Sequence, residues 1–179
     1  MTRFALPMAV FVALVAVLAI GIKHSPQKGV ILSPLIGKPA PSFQLPSLAD
    51  PAHAVSSQNL KGRWYVLNVW GTWCVECRAE HQMLIEARDA HAVPLIGLDW
   101  KDDDDRAREW LAQLGNPYEV VVLDHSGNTA VDYGVYGAPE TFLINDQGII
   151  VYKYVGPLTR EVWTKEILAR LPVHAAARL

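Results

Sequence analysis

The chain contains two cysteines, Cys74 and Cys77, with two residues between them. All thiol chemistry must therefore use this pair. A pair with this spacing, placed where a strand gives way to a helix, is typical of a redox site that alternates between dithiol and disulfide. Residues three apart lie on one face of a helix, so the two sulfurs come close enough to form a short disulfide ring. The first cysteine then lies at the helix N-terminus, where free N–H groups and the helix dipole favour the thiolate.

Other uses of this motif fit the sequence less well. Zinc coordination by Cys74, Cys77 and His81 would need a fourth ligand, and no second cysteine pair or H-x-x-x-H motif follows. Covalent haem attachment requires a histidine directly after the second cysteine, where this chain has Arg78. A purely structural disulfide would stabilise the fold little, because the loop that it closes is short. We therefore expect thiol–disulfide exchange without a metal or an organic cofactor.

The N-terminal segment predicts a membrane anchor. Residues 4–22 carry no charged side chain, and this run of nineteen residues is close to the roughly 20 residues with which a helix spans a bilayer. A cleavable signal peptide usually has a shorter apolar core and a small-residue cleavage site, which Ala19-Ile20-Gly21 matches only weakly. We expect residues 1–24 to form an uncleaved anchor that contacts the lipid bilayer through residues 4–22.

The distribution of charge says less about the membrane topology than the apolar run does. Arg3 precedes the apolar run and Lys23, Lys28 and Lys38 follow it, so the positive-inside rule does not determine its orientation. A thiol-exchange domain that is tethered to a membrane is expected to face an oxidising compartment, because disulfides form and persist there. The net charge of −2 and the lack of a basic patch in the sequence argue against nucleic acid as a partner.

The remaining elements predict an α/β fold around the cysteine pair. Residues 25–42 are rich in Pro, Gly and Ser and predict a linker, residues 43–179 form the predicted domain, and residues 50–59 are expected to be a loop. The acidic run at 102–105 is interpreted as a solvated helix start rather than a cation site. Helical connections predict parallel strands and a closing hairpin predicts antiparallel ones, so we expect a mixed central sheet with helices on both faces. The predicted strands are 43–45, 64–70, 93–99, 120–123, 141–145 and 149–155, and the predicted helices are 74–89, 102–114, 129–133 and 159–171.

Two motifs indicate a family. The order of the elements, with Trp73-Cys74-Val75-Glu76-Cys77 opening the first long helix, resembles the thioredoxin fold. The segment 134–144, which reads GVYGAPETFLI, closely resembles a motif of the membrane-anchored thiol:disulfide interchange proteins of cytochrome c maturation, the CcmG/DsbE family. Residues 68–73 and 77–81 are similar to that family around its active site, and the resemblance covers nearly the whole chain.

The resemblance implies roles, partners and a location. Cys74 would be the exposed nucleophile and Cys77 the buried resolving thiol. Pro139 would be the cis-proline that lies against the cysteine pair, and together with Trp73 and Ala138 it would form the substrate groove. The protein would be a single-pass protein of the bacterial inner membrane whose catalytic domain, in the periplasm, reduces disulfides in the haem-binding motifs of apocytochrome c. Its partners would be apocytochrome c, a membrane dithiol electron donor of the DsbD/CcdA type and the cytochrome c maturation machinery.

Two positions depart from the thioredoxin pattern. Asn68 stands where thioredoxins usually have a buried carboxylate that moves the proton of the second thiol, and an amide cannot take a proton. Glu80, three residues after Cys77, is the first candidate to replace that carboxylate, and Glu140, next to the proline, is the second, for proton handling or substrate contact. Val75-Glu76 replaces a proline-containing pair, which leaves the reduction potential open.

Three other functions remain open at this point. The chain could be a general periplasmic disulfide oxidoreductase, with a reduction potential well above that of thioredoxin. It could also be an apocytochrome-binding chaperone without catalytic activity. A thioredoxin-like peroxidase is a third possibility, although no proline surrounds Cys74 as it commonly does in such enzymes.

Overall fold

The computed structural model describes residues 2–23 and 33–172 of the chain. Helix α1, Thr2–Lys23, contains the apolar N-terminal run, and its side chains from Leu6 to Gly21 are exposed. Of the helices in the described ranges, none combines the length and the apolar character that a membrane span needs. The anchor therefore stays a prediction, and the first part of the predicted linker, residues 25–32, lies outside the described residues.

A small hairpin precedes the main sheet. Strand β1, Gln44–Pro46, pairs antiparallel with β2, Ala54–Ser56, and a 3₁₀ turn at Ser57–Leu60 follows directly. The prediction of a loop over residues 50–59 was therefore wrong in its second half. A strand of three residues is too short to show an alternating pattern in the sequence, and this one is held by backbone pairing.

A five-stranded mixed sheet forms the centre of the domain. Its strands are β3 (Tyr65–Trp70), β4 (Leu95–Trp100), β5 (Val120–Asp124), β6 (Glu140–Ile144) and β7 (Ile150–Val155). They are ordered β5-β4-β3-β6-β7, with parallel pairing among β3, β4 and β5 and antiparallel pairing of β6 with both β3 and β7. This is the mixed sheet that the helical connections and the closing hairpin predict, in the thioredoxin-like order that the resemblance implied.

Helices cover both faces of this sheet. They are α2 (Val75–Asp89), α3 (Asp104–Leu114), α4 (Asn128–Asp132) and a final helical segment over residues 160–170. The residues of β3 are all buried and alternate between two core clusters, as expected for a strand covered on both sides. One cluster includes residues of α2, α3 and the final segment, and the other includes residues of α4.

The final helical segment begins at the predicted cap but is not a regular α-helix. The Thr159 side chain accepts a hydrogen bond from the Val162 backbone, as a helix cap does. The segment then widens into a π turn, Trp163–Ile167, and ends in a 3₁₀ turn, Leu168–Arg170. Trp163 and Ile167 are both buried and lie on the side that faces the core.

Part of the predicted linker is attached to the domain. Gly37 donates a backbone hydrogen bond to Ile150, and Ala40 donates one to Gly148, each at 2.8 Å. Pro39 forms an isolated bridge with Ile149. The chain is thus held against the start of β7 several residues before residue 43, where the sequence predicted that the domain begins.

Candidate active site

The two cysteines lie where β3 passes into α2. Cys74 is the N-cap residue of α2, its sulfur accepts a hydrogen bond from the Cys77 backbone N–H at 3.0 Å, and the two residues form a disulfide. We expected Cys74 to be exposed, but only 5% of this residue is exposed, close to the 3% of Cys77. That expectation is wrong for the oxidised state, because the sulfur of Cys74 is turned towards the end of the helix and is bonded to a buried partner.

Glu80 lies one turn after Cys77 on the same helix, and it is buried rather than solvent-facing, with 1% exposed. One carboxyl oxygen accepts a hydrogen bond from the Asn68 side chain at 2.9 Å, and the other accepts one from the Leu158 backbone at 2.6 Å. Burial raises the pKa of the Glu80 carboxyl to about 7, although these hydrogen bonds oppose the shift. A buried group that exchanges its proton near neutral pH is well suited to serve as acid and base.

Asn68 orients this carboxyl instead of replacing it. Its side-chain nitrogen donates to Glu80 and also to the Thr141 hydroxyl at 3.1 Å, and its oxygen accepts a hydrogen bond from the Tyr118 hydroxyl at 2.7 Å. Burial, together with the charges of Glu80 and Asp99, raises the pKa of Tyr118 well above its usual value, so this hydroxyl stays a donor. The position that departs from the thioredoxin pattern is therefore the centre of a fully bonded network.

A glycine makes room for the tyrosine of this network. Gly97 lies beside Asn68 in the pairing of β3 with β4, and a Cβ atom there would come within 2.9 Å of the Tyr118 ring. The ring stacks on Trp70 with their centroids 5.6 Å apart. Neither Gly97 nor Tyr118 was among the predicted site residues, although a glycine inside a buried strand is the signal of a close approach.

The loop between β3 and α2 is held by the loop that follows β4. The Thr72 backbone and hydroxyl both donate to the carboxylate of Asp102, the hydroxyl at 2.7 Å. The Trp73 indole donates to the Trp100 carbonyl at 3.0 Å and meets the Trp100 ring edge-on, while 47% of Trp73 remains exposed. Asp102 was predicted only as part of a solvated helix start. That interpretation is right for the neighbouring Asp103, which caps α3.

A second buried acid lies below this loop. Asp99 is the register partner of Trp70 at the end of β4, only 2% of it is exposed, and one of its carboxyl oxygens has no hydrogen-bond partner among the described residues. Burial raises the pKa of Asp99 to about 8, and the charges of Asp102 and Asp104 act in the same direction. The sequence provided no signal for this group beyond an aspartate at the end of an apolar run.

The proline loop, defined here as residues 134–139, ends in the expected geometry. The peptide bond between Ala138 and Pro139 is cis, as the resemblance implied. Ala138 is half-buried and packs against the core cluster that contains both cysteines, and the Pro139 carbonyl accepts a hydrogen bond from Gly156 at 2.9 Å. Through Ala138 the loop thus contacts the core cluster of the cysteine pair, and Trp73, directly before Cys74, stays half exposed.

Glu140, the second candidate for proton handling, is held in a different way from Glu80. It is fully buried and one of its oxygens lies 2.7 Å from the Lys153 ammonium group. Its other oxygen accepts a hydrogen bond from the Tyr136 backbone at 3.2 Å. Because the charge of Glu140 is already compensated, the geometry favours Glu80 as the proton acceptor.

His81 packs between two helices. One ring nitrogen contacts the Gly115 carbonyl at 2.9 Å and must donate, and the other accepts a hydrogen bond from the Trp110 indole at 3.2 Å. Burial lowers the pKa of His81, and the neighbouring charge of Arg78 acts in the same direction. Both nitrogens are thus used by the fold, so His81 is a packing residue.

Comparisons with known proteins agree with this geometry. The Redoxin family model matches residues 35–171. The chain is 43% identical over 165 residues to the thiol:disulfide interchange protein DsbE of Allochromatium vinosum, which covers 92% of this chain and 90% of the relative. It is 48% identical over 136 residues to the protein of the same name from Escherichia coli K12, with 75% and 73% covered.

Solved structures show the same fold. The crystal structure of a putative thiol:disulfide interchange protein DsbE from Chlorobium tepidum matches with a TM-score of 0.61 and 28% identity, over 75% of this chain and 96% of the other. A DsbF homologue from Corynebacterium diphtheriae matches with a TM-score of 0.67 and 23% identity, over 82% and 96%. The chain therefore belongs to the DsbE family of thiol:disulfide interchange proteins, and its chemistry is thiol–disulfide exchange through Cys74 and Cys77.

Proposed function

We propose that this protein is a reductant for disulfides in the haem-binding motifs of apocytochrome c, which it prepares for haem attachment. The observation that carries the proposal is the buried carboxyl of Glu80 one helical turn after Cys77, with a pKa of about 7. Reduction of a protein disulfide requires the second thiol of the pair to lose its proton before it can release the partner. Glu80 supplies an acceptor for that proton at neutral pH.

The reaction proceeds in two exchanges. The Cys74 thiolate attacks one sulfur of the target disulfide, that S–S bond breaks, and the departing target sulfur takes up a proton. Cys77 then transfers its proton to Glu80 and attacks the Cys74 sulfur. The bond between Cys74 and the target breaks, and the released target thiolate takes up a proton from Glu80 or from water. The target gains two electrons and two protons, and the protein is left with the Cys74–Cys77 disulfide.

The charges around the pair favour the direction of reduction. Glu76 lies in the first turn of α2 and the Asp102 carboxylate holds Thr72, two residues before Cys74. One nearby cation, Arg78, lies over the Trp110 ring, 5.2 Å from its centroid, and another, Lys101, lies over the Trp100 ring at 5.9 Å. Negative neighbours disfavour a thiolate, whereas strong oxidants of this fold stabilise their reduced form. An acidic surrounding therefore makes the dithiol a better electron donor.

The same proposal includes a membrane tether and partners. Helix α1 has an exposed apolar surface: 75% of Leu6 and 68% of Val17 are accessible to solvent. An apolar surface of this kind is expected to be buried against a lipid bilayer or another protein. We propose that residues 4–22 anchor the protein in the bacterial inner membrane with its domain in the periplasm. A membrane dithiol donor of the DsbD/CcdA type would reduce the disulfide again, next to the cytochrome c maturation machinery. Membrane fractionation of the full-length protein and protease access from the periplasmic side test this placement.

Trapping of the reaction intermediate tests the proposed activity. In the full-length Cys77→Ser variant, Cys74 attacks the target but no thiol resolves the product, so a mixed disulfide with an oxidised CxxCH peptide should accumulate. Cys74→Ser is the matched control and should trap nothing. The proposal fails if reduced Cys77→Ser forms no adduct with the peptide. Normal cytochrome c maturation with both cysteines changed to Ala would instead support a chaperone without catalytic activity.

A further inference from the structure

A buried lysine lies under the proline loop, and the reaction described above does not use it. Lys153 is on β7, only 5% of it is exposed, and its ammonium group lies 2.7 Å from a carboxyl oxygen of Glu140. The same group donates to the Gly134 carbonyl at 2.8 Å. One side chain thus bonds to the first residue of the proline loop and to the residue that follows its cis-proline.

Tyr136, in the middle of the proline loop, also contacts both Lys153 and Glu140. The Tyr136 backbone donates to Glu140 at 3.2 Å, and the Lys153 ammonium lies 5.5 Å from the centroid of the Tyr136 ring. Phe142 is the register partner of Lys153 on β6, and its ring centroid lies 5.1 Å from the same ammonium group. Tyr136 nevertheless stays 60% exposed, so the ion pair lies beneath a side chain that a partner can reach.

Stability does not explain this arrangement. A buried ion pair is often no more stabilising than apolar residues of similar volume, because both charges must lose their water. The two paired side chains instead fix the geometry of the loop, because the ammonium group donates a hydrogen bond to Gly134 and the carboxylate accepts one from Tyr136. The specified segment is the one that ends in the cis-proline and packs, through Ala138, against the core cluster that contains both cysteines.

We propose that Lys153 is a positioning residue for partner binding: with Glu140 it holds the proline loop so that Tyr136 and the Ala138 backbone face a disulfide-bearing peptide. The inference rests on the proposed function, because it concerns the recognition of a protein partner rather than the exchange of electrons. It predicts that Lys153 affects reactions with peptides and leaves reactions with small disulfides unchanged.

Single-turnover kinetics of the full-length, reduced protein test this prediction. Two oxidants are compared, an oxidised CxxCH peptide and a small aryl disulfide that needs no groove. Lys153→Met should lower the second-order rate constant with the peptide by about tenfold or more, while the constant with the small disulfide stays within about twofold of the unmodified protein. Lys153→Arg, which keeps charge and donors, should restore most of the peptide rate. Lys165→Met is the matched control, because Lys165 is 69% exposed and pairs with Glu161 on the surface.

A second variant covers the case in which Lys153→Met does not fold because Glu140 is left buried without a partner. Glu140→Gln combined with Lys153→Met removes both charges and should fold, yet it should show the same selective loss with the peptide. Wild-type peptide kinetics in a folded variant would overturn the role of Lys153 and leave the proposed function intact. An unmodified protein that reduces the small disulfide but not the peptide would overturn both.

Discussion

At the scale of single residues, burial decides which carboxyl does chemistry. Glu76 and Glu80 lie on the same helix one turn apart, but Glu76 is exposed while Glu80 is 1% exposed. Burial penalises the charged form, and this raises the pKa of Glu80 to about 7. Comparison of the two glutamates therefore separates the effect of burial from the effect of the carboxyl group itself.

Changing Glu80→Gln should slow the step in which Cys77 resolves the mixed disulfide by about a hundredfold at neutral pH, because an amide cannot accept the thiol proton. The lifetime of the mixed disulfide in acid-quenched single turnovers measures this step. In the unmodified protein its rate should rise with pH through about 7, following the Glu80 pKa, and the variant should lack that rise. Glu76→Gln is the control, and an equal effect of both changes would contradict the assignment.

The residues of the site were predictable only where local sequence carries the signal. The first turns of α2 and its N-cap contain Cys74, Cys77 and Glu80, each three residues after the one before. Their spacing in the sequence therefore already places them on one side of the helix. Tyr118 and Lys153 reach the site through contacts across the sheet, and Tyr118 bonds to a residue 50 positions earlier in the chain. No pattern of period two or 3.6 reports such a contact, which is why both residues were missed.

At the scale of elements, two loops at the ends of β3 and β4 act as one unit. Parallel neighbouring strands end at the same edge of a sheet, so the loop before α2 and the loop before α3 must lie side by side. Asp102 connects them through two hydrogen bonds to Thr72. The predicted pairing of the strands thus explains why an acidic residue 30 positions later supports the cysteine loop.

Asp102→Asn should loosen this connection, because an amide offers one acceptor where the carboxylate offers two. We expect a loss of about 1 to 2 kcal/mol in the free energy of unfolding, together with faster hydrogen exchange of the Thr72 amide. Denaturant titration and exchange measured by mass spectrometry check both effects. Asp105→Asn is the matched control from the same acidic run, since that carboxylate is 94% exposed. Equal loss in both variants would show that general charge, and not this connection, was responsible.

The elements themselves differ in how well sequence predicts them. Strands β3, β4 and β5 and helices α2 and α3 lie within a few residues of their predicted ranges, because long apolar runs and amphipathic patterns dominate there. The misjudged segments are β2, the attached end of the linker and the wide turn at Trp163–Ile167. Each of these is determined by contacts with the finished domain rather than by a local pattern.

At the scale of the whole molecule, buried titrating groups couple stability to pH in opposite directions. Glu80 and Asp99 have folded-state pKa values of about 7 and about 8, above their unfolded values, so they bind protons more tightly when folded. Their contribution is complete at low pH and is lost as pH rises towards these values. The pKa of His81 is lowered on folding, so its contribution is complete above its unfolded value and is lost as pH falls. Stability should therefore be highest in mildly acidic solution.

From pH 6 to pH 9, the unfolding free energy of the oxidised protein should fall by about 4 kcal/mol, because Glu80 and Asp99 are already ionised in the unfolded chain but lose their protons only near pH 7 and pH 8 in the folded protein. The oxidised form is used so that the cysteines do not titrate. Asp99→Asn should remove more than half of this pH dependence, since the pKa of Asp99 is raised to about 8 and an amide mimics its protonated form. Denaturant titrations at both pH values measure the difference, with the exposed Asp105→Asn as control. If Asp99→Asn keeps the full pH dependence, Asp99 is ionised in the folded protein, and the sheet edge below the cysteine loop carries a permanent negative charge.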